Sequence, residues 1–321
     1  MNNLSILVLK SVKRLYQVIF PSSVVPLRNW KMFSDKNYSN SLIFEMLNND
    51  KPCMIGRFGS TEMLCLTNYL GVNSPSKKRI SKYIKSQHYP WWWEKGTLNQ
   101  VHQWSGFFPA TEENVSKFCE IMLEDLQELD LLGSWLNSEK HFDKYLEKSQ
   151  KVVLEDLEPF FAEKPWTRAL AAKKVLVIHP FADSIAYQYK KKDLIFESDF
   201  LPDFQLKTIK AVQTVAGEIS EHNSWFTALD YMKLQMDTID YDIVIIGCGA
   251  YGLPLAAHAK RKGKKAIHLA GVTQLLFGIK GKRWEEYIVW PYKNLFNEHW
   301  IRPGEHERPQ NAQVVEGACY W

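Results

Sequence analysis

Tyr241-Asp242-Ile243-Val244-Ile245-Ile246-Gly247-Cys248-Gly249-Ala250-Tyr251-Gly252 decides the fold class of this 321-residue chain. A β-branched apolar run enters G-x-G-x-x-G, and Pro254 to Lys262 continues at helical spacing. Strand, glycine turn and helix in that order let backbone amides approach a phosphate closely. The same glycines also serve as a tight strand-to-helix turn with no ligand, since isolated matches are common. A dinucleotide site needs an acid about twenty residues further on, at the end of the next strand. Ile267-His268-Leu269-Ala270-Gly271 contains none, which speaks against NAD and FAD.

Upstream, Lys174-Val175-Leu176-Val177-Ile178-His179-Pro180 reads as a strand buried on both faces. Ile209 to Gln213 offers another, Trp225 to Met236 a helix, and Lys265 to Leu269 a further strand. Strand and helix alternate, so the expected fold is α/β: a Rossmann-like doubly wound, mostly parallel sheet with ligands at the carboxyl ends of its strands. Nearer the start, Ser41 to Leu47 suits a helix, Cys53 to Ile55 a strand, and Glu62 to Leu70 a helix closed by Gly71. From 111 to 170 the spacing of Phe118, Ile121, Met122, Leu126 and Leu129 predicts a helical insertion, read as scaffold. The expected division is an amphipathic helix and linker over 1–30 and one α/β domain over 31–321.

The candidate chemistry gathers at three strand exits. After Cys53-Met54-Ile55 come Gly56, Arg57, Phe58, Gly59, Ser60, Thr61 and Glu62: a cation, a flexible backbone and an acid where a strand becomes a helix. After Lys265 to Leu269 come Gln274, Lys280, Lys282 and Arg283, whose cations can hold a diphosphate or form a solvated basic loop. His179, at the end of its strand, can donate to phosphate or act as a base, though a lone histidine there is commonly hydrogen-bonded structure. Asp183, and more loosely Asp199 and Asp203, follow the same strand. Asp240-Tyr241-Asp242 is set aside, because it opens a strand and ligands gather at the other edge. Glu62 is either a ligand or a first-turn acid that complements the helix dipole. Trp91-Trp92-Trp93 and Trp104 can stack on sugar rings, meet a membrane interface or pack in the core.

Composition narrows the classes. Apolar residues at 45% and charged residues at 24% are ordinary for a globular protein, and a net charge of +4 is too small to indicate nucleic acid. Five cysteines without a CxxC pair suggest neither a disulfide framework nor a thiolate zinc site, and fit a reducing cytosol. Residues 4 to 20 are apolar with Lys10, Lys13 and Arg14 inside; they form a poor secretion signal and read equally as a membrane-surface helix or one packed on the domain.

In order along the chain, Arg57-Phe58-Gly59-Ser60-Thr61-Glu62, His179-Pro180-Phe181, the Gly247 to Gly252 turn and Thr273-Gln274-Leu275-Leu276-Phe277-Gly278 resemble the bacterial GT-D-fold glycosyltransferases and their relatives encoded with surface-polysaccharide genes. The similarity covers most of residues 40 to 290. It implies transfer of a sugar from a nucleotide-sugar donor to a glycan or lipid-linked acceptor, in the cytoplasm or peripherally at the inner face of the membrane. Arg57, Gly59, Ser60, His179, Gly247, Gly249, Tyr251, Gly252, Gln274, Lys280, Lys282 and Arg283 would then contact the donor, with Glu62 or Asp183 as base. The family carries R-F-G-D-G-E with a D-x-E metal motif, but here Ser60 replaces the first acid and only Glu62 matches. A divalent cation, Mn or Mg, would rest on Glu62. Alternatively Asp183 completes the site, the Lys280, Lys282 and Arg283 cations replace the metal, or transfer activity is lost. The rivals are a non-catalytic partner in a polysaccharide assembly complex, favoured by Ser60, and a nucleotide-dependent oxidoreductase.

Overall fold

The computed structural model describes residues 2–29, 31–74, 80–197, 200–287 and 291–321. Its strands are β1 (Cys53–Gly56), β2 (Leu131–Ser134), β3 (Gln150–Val153), β4 (Lys174–His179), β5 (Gln205–Lys210), β6 (Ile243–Ile246) and β7 (Lys265–His268). They form one seven-stranded sheet in the order β3-β2-β1-β7-β6-β4-β5. Every pairing is parallel, with registers such as Ile55↔Ile267, Val244↔Ala266 and Val177↔Ile245. Side chains alternate across the sheet, so Leu176, Ile178, Val244 and Ile246 enter the core of one face and Val175, Val177, Ile243 and Ile245 that of the other. A strand covered on both sides must be apolar at every position, which explains its continuous apolar reading.

The helices, in chain order, are α1 (Asn3–Ile19), α2 (Lys36–Asn48), α3 (Ser60–Val72), α4 (Ile80–Ile84), α5 (Lys95–Ser105) and α6 (Glu112–Asp125). They continue with α7 (Ala182–Tyr189), α8 (Lys192–Ile195), α9 (Trp225–Thr238), α10 (Gly252–Arg261) and α11 (Lys282–Glu285). One face carries α3, α5, α6, α9 and α10, through residues such as Leu66, Val101, Phe118, Trp225 and Leu255. The other carries α2 and α7, through Ile43 and Ile185. β4 leaves through α7 towards β5, and its neighbour β6 leaves through α10 towards β7. Right-handed crossovers running in opposite directions use opposite faces, so a crevice opens above the carboxyl ends of these two strands.

Local signals set the helix starts. The Asp35 carboxylate accepts from the Tyr38 amide at 2.9 Å, and the Thr111 hydroxyl accepts from the Asn114 amide at 3.2 Å. Ser224 and Thr227 close a reciprocal cap on α9. Trp225, fully buried, packs on Phe107 and Phe118 and stacks on Tyr251 with centroids 5.2 Å apart. Truncating such a side chain costs about 3–5 kcal/mol, so this cluster is a main anchor of α9 to the crevice floor.

The structure corrects several expectations. Residues 111 to 170 are not a helical insertion: beyond α6 they supply β2 and β3. Each of these strands has four residues, too few to display a period of two against the helical spacing that precedes them. Gly71 does not close α3, which runs on to Val72; the glycine is required because a Cβ there would strike the Pro90 carbonyl. The linker ends earlier than residue 30, since Arg28 bridges Leu136 and the Asn29 amide donates to the Trp135 carbonyl at 2.7 Å. Trp92 and Trp93 are core residues, and Trp91 is half-buried in an edge contact with Tyr83.

Candidate functional site

A cleft of about 530 Å³ lies over the carboxyl ends of β1, β4, β6 and β7. Arg57 to Glu62 form its first wall. The Trp135 indole donates to the Phe58 carbonyl at 3.0 Å, and its ring lies 5.2 Å from the Arg57 guanidinium. That contact holds the cation by its face and leaves its N–H groups unspent: Arg57 makes no hydrogen bond or ion pair with any described residue. Burial pulls the guanidinium below its usual value, against the opposing influence of Tyr320 and Glu62. α3 begins with Gly59 as its cap and no side-chain partner for its first amides, so donors of the helix start face the same space. Glu62, buried in that first turn, folds its carboxylate back over Gly59, where a Cβ would collide with Oε2.

The turn after β6 is built differently. A Cβ on Gly247 would sit 2.5 Å from the Ala270 carbonyl oxygen and 2.6 Å from the His179 ring. Gly249 has φ +56° and faces the Ser105 carbonyl, and Gly252 lies against the His268 ring. Protein neighbours therefore account for all three glycines, which is the plain-turn reading of G-x-G-x-x-G.

Two buried histidines line the cleft in opposite tautomers, assigned from their partners. Nδ1 of His179 accepts from the Phe181 amide at 3.0 Å, so its proton is on Nε2. Nδ1 of His268 donates to the Ile246 carbonyl at 3.2 Å, so its Nε2 is a bare acceptor. Burial lowers both to about 3, with the charge of Arg57 adding to the effect on His268, and both are neutral at pH 7.

A further wall comes from the segment after β3. Arg28 holds the buried Glu155 carboxylate through two bonds of 2.5 and 2.6 Å. Beside it, buried Glu158 accepts from the Tyr292 hydroxyl at 2.5 Å. Burial pushes Glu158 up to about 8, the Tyr292 bond pulls it down, nearby Glu155 raises it, and the charges of Arg57 and Lys36 lower it. Tyr320 and Trp321 close a third side, where Arg283 is tied to Glu316 and to the Tyr320 hydroxyl at 3.0 Å.

The structure thus brings Arg57, Gly59, Ser60, Glu62, His179, Gly247, Gly249, Tyr251 and Arg283 to one cleft. Gly252, Gln274, Lys280, Lys282 and Asp183 do not line it. Gln274 is buried and donates to the Ile279 and Tyr320 carbonyls, each at 3.2 Å, so it ties the C-terminal segment down. Lys282 faces Glu286 at 3.9 Å on the exposed side of α11, while Arg283 beside it turns inward. Asp183 is exposed and pairs with His306 at 3.1 Å, and Asp203 pairs with Lys192 at 3.1 Å. Asp199 lies outside the described residues.

Among the described residues one group offers three metal-ligand atoms within 4.8 Å of one another, Asp183, His306 and Glu307, and it stands outside the cleft. Glu307 is already engaged there, accepting from the Asp183 amide at 2.9 Å and from the Ser184 amide at 3.3 Å. In the cleft no three such ligand atoms come together among the described residues: Glu62 stands under the field of Arg57, Glu155 is held by Arg28, and Glu158 accepts from Tyr292. Without the phosphates of a donor, that set offers no site for a divalent ion.

Sequence reasoning missed Arg28, Trp135, Glu155, Glu158, His268, Tyr292 and Tyr320. Lys151-Val152-Val153 running into Leu154-Glu155-Asp156-Leu157-Glu158 was the available signal, a short strand with acids at its exit. Among the described residues no helix is long and apolar enough to cross a membrane. Comparison with protein-family models, with curated proteins and with solved structures finds no match to this chain.

Proposed function

We propose that this chain is a glycosyltransferase of GT-D type, taking a sugar from a nucleotide-sugar donor. The observation that carries the reading is a cleft at the carboxyl edge of a parallel sheet that is lined by both the unspent Arg57 donors and buried Glu158. Arg57, the first amides of α3 and Arg283 hold the diphosphate; Glu62 takes a sugar hydroxyl; Trp104 and Trp135 supply flat surfaces for rings. Ionised Glu158 removes the proton of an acceptor hydroxyl as its oxygen bonds to the anomeric carbon. The bond from that carbon to the diphosphate breaks, and the electron pair leaves on phosphate oxygen, where Arg57 stabilises it. Glu158 replaces Asp183 as the base, because Asp183 does not reach the cleft. Glycan or lipid-linked acceptors at the inner face of a bacterial membrane belong to the same reading.

The test is thermal stabilisation and turnover across UDP-, GDP-, dTDP- and CMP-sugars. A ligand at a hundred times its dissociation constant adds about 2.7 kcal/mol of stability, an easily measured shift. One donor class should stabilise the wild type and fail with Arg57→Ala. If no donor in the panel moves the unfolding temperature, the reading is wrong.

A further inference from the structure

α1 leaves most of its aliphatic surface out of the core. The side turned to the body is mixed: Ile6, Leu9 and Tyr16 are half-buried there, Lys10 pairs with Glu94, Gln17 donates to the Ser86 hydroxyl at 3.0 Å, and the Lys13 ammonium sits 4.5 Å from the Tyr83 ring centroid. The side turned outward is aliphatic. Leu4, Leu7, Val8, Leu15, Val18 and Ile19 recur at helical spacing and are each more than half exposed, from 53% at Val8 to 76% at Val18. No residue of the helix is buried. At 1.5 Å per residue its 17 residues make an apolar stripe roughly 25 Å long, far more than the scattered exposed aliphatics of an ordinary surface.

The surrounding charge identifies what covers it. The first acid in the chain is Asp35, after Lys10, Lys13, Arg14, Arg28 and Lys31. α1 packs on α4, and from Ile80 to Trp93 there is again no acid. Arg14 on α1, with Lys82 and Lys85 on and just after α4, is exposed, and none of the three has an ion-pair partner among the described residues. An aliphatic stripe with unmatched cations on its own helix and on the neighbouring α4 segment complements an anionic phospholipid surface, where the stripe enters the acyl boundary and the cations meet headgroup phosphates.

We propose that α1 is a monotopic docking element: it lies in the plane of an anionic bilayer interface, clamped by its opposite side so that the body keeps one orientation on the membrane. The inference is independent of the glycosyl-transfer reading, since it uses no residue of the cleft. Each cation near an anionic leaflet strengthens binding about fivefold, so three account for roughly a hundredfold preference over a neutral one.

The experiment is sedimentation of the full chain with vesicles of phosphatidylcholine alone or mixed with phosphatidylglycerol, alongside sedimentation velocity without lipid. The wild type should bind the mixed vesicles roughly a hundredfold more tightly and lose binding as salt rises. The double variant Leu7→Glu, Val18→Glu should lose binding at an unchanged unfolding temperature. A second variant, Lys82→Glu with Lys85→Glu, leaves α1 intact and should remove most of the preference for phosphatidylglycerol. Absence of wild-type binding to mixed vesicles overturns the proposal, as does equal binding by the stripe variant. So does concentration-dependent self-association broken by the stripe variant without vesicle binding, which would make a second copy of the chain the cover of this face.

Discussion

Two turns at the same edge of the sheet invite comparison: Gly247 to Gly252 after β6, and Arg57 to Glu62 after β1. Both connect a buried strand to a helix, and both line the cleft, the first through Gly247, Cys248, Gly249 and Tyr251. The first is the more conspicuous, yet its glycines answer to the Ala270 and Ser105 carbonyls and the His179 and His268 rings. The second has one unspent guanidinium and an uncapped helix start. Glycine spacing therefore marks where the chain must pass close to itself, whereas unspent donors mark where a ligand can bind.

Glu158 sharpens the comparison most, because it divides binding from chemistry. With Glu158→Gln, donor stabilisation should persist while turnover falls about 100- to 10,000-fold, the usual contribution of a general base. Loss of donor binding together with turnover would place Glu158 on the binding side and remove it as the base. Its protonation also sets a pH dependence. Burial holds the folded group protonated up to about 8, against about 4.3 in an unfolded chain. Below the lower value both states carry the proton; as pH rises towards the upper one the unfolded chain releases it first, so stability declines through that window. Glu158→Gln should match the wild-type unfolding temperature near pH 4 and exceed it near pH 9, a gain on the order of a few kcal/mol. Turnover, which needs the ionised base, should rise through about pH 8, and Tyr292→Phe should move that rise upward by removing the bond that favours the carboxylate.

Next in size is a reciprocal pair of variants across the two turns. Arg57→Ala should weaken donor binding by about 1.5–3 kcal/mol, roughly ten- to a hundredfold, with little change in folding. Gly247→Ala should do the reverse, destabilising the fold by about 1–3 kcal/mol through overpacking while the folded fraction keeps its donor affinity. Denaturant titration and donor titration of both variants decide the matter. If Gly247→Ala costs affinity and Arg57→Ala costs stability, the roles assigned to the two turns are exchanged.

The sheet's centre was legible because β4, β6 and β7 are continuous apolar runs separated by helices, and burial on both faces imposes that composition directly. β2 and β3 were not, since four residues carry no period and α6 lends its helical spacing to the stretch. The Arg57 wall was legible because its residues are contiguous. The Glu158 wall was not: its chemistry depends on Tyr292, over a hundred residues away in the chain, and on burial that local sequence does not encode. Asp183 and Lys282 show the converse, since each sits near a strand exit but turns to solvent while Ser184 and Arg283 beside them face inward.

The smallest expected effect concerns the metal, and it tests the Arg57 turn alone. A divalent ion stabilises a leaving diphosphate through carboxylate ligands, as one or two acids with the phosphates suffice. Here the turn offers Glu62 with Ser60, and the Arg57 charge acts on that carboxylate, which lowers the local need for a second positive charge and repels one. Manganese or EDTA should therefore change donor affinity by less than about twofold in the wild type, below the 1.4 kcal/mol that marks a tenfold effect. Adding an acid with Ser60→Asp should create a dependence on manganese that the wild type lacks, read as donor stabilisation with and without the ion. A strong manganese dependence in the wild type would mean that Glu62 escapes the field of Arg57 once donor is bound, and the β1 turn would then be a metal site in which the arginine plays the secondary part.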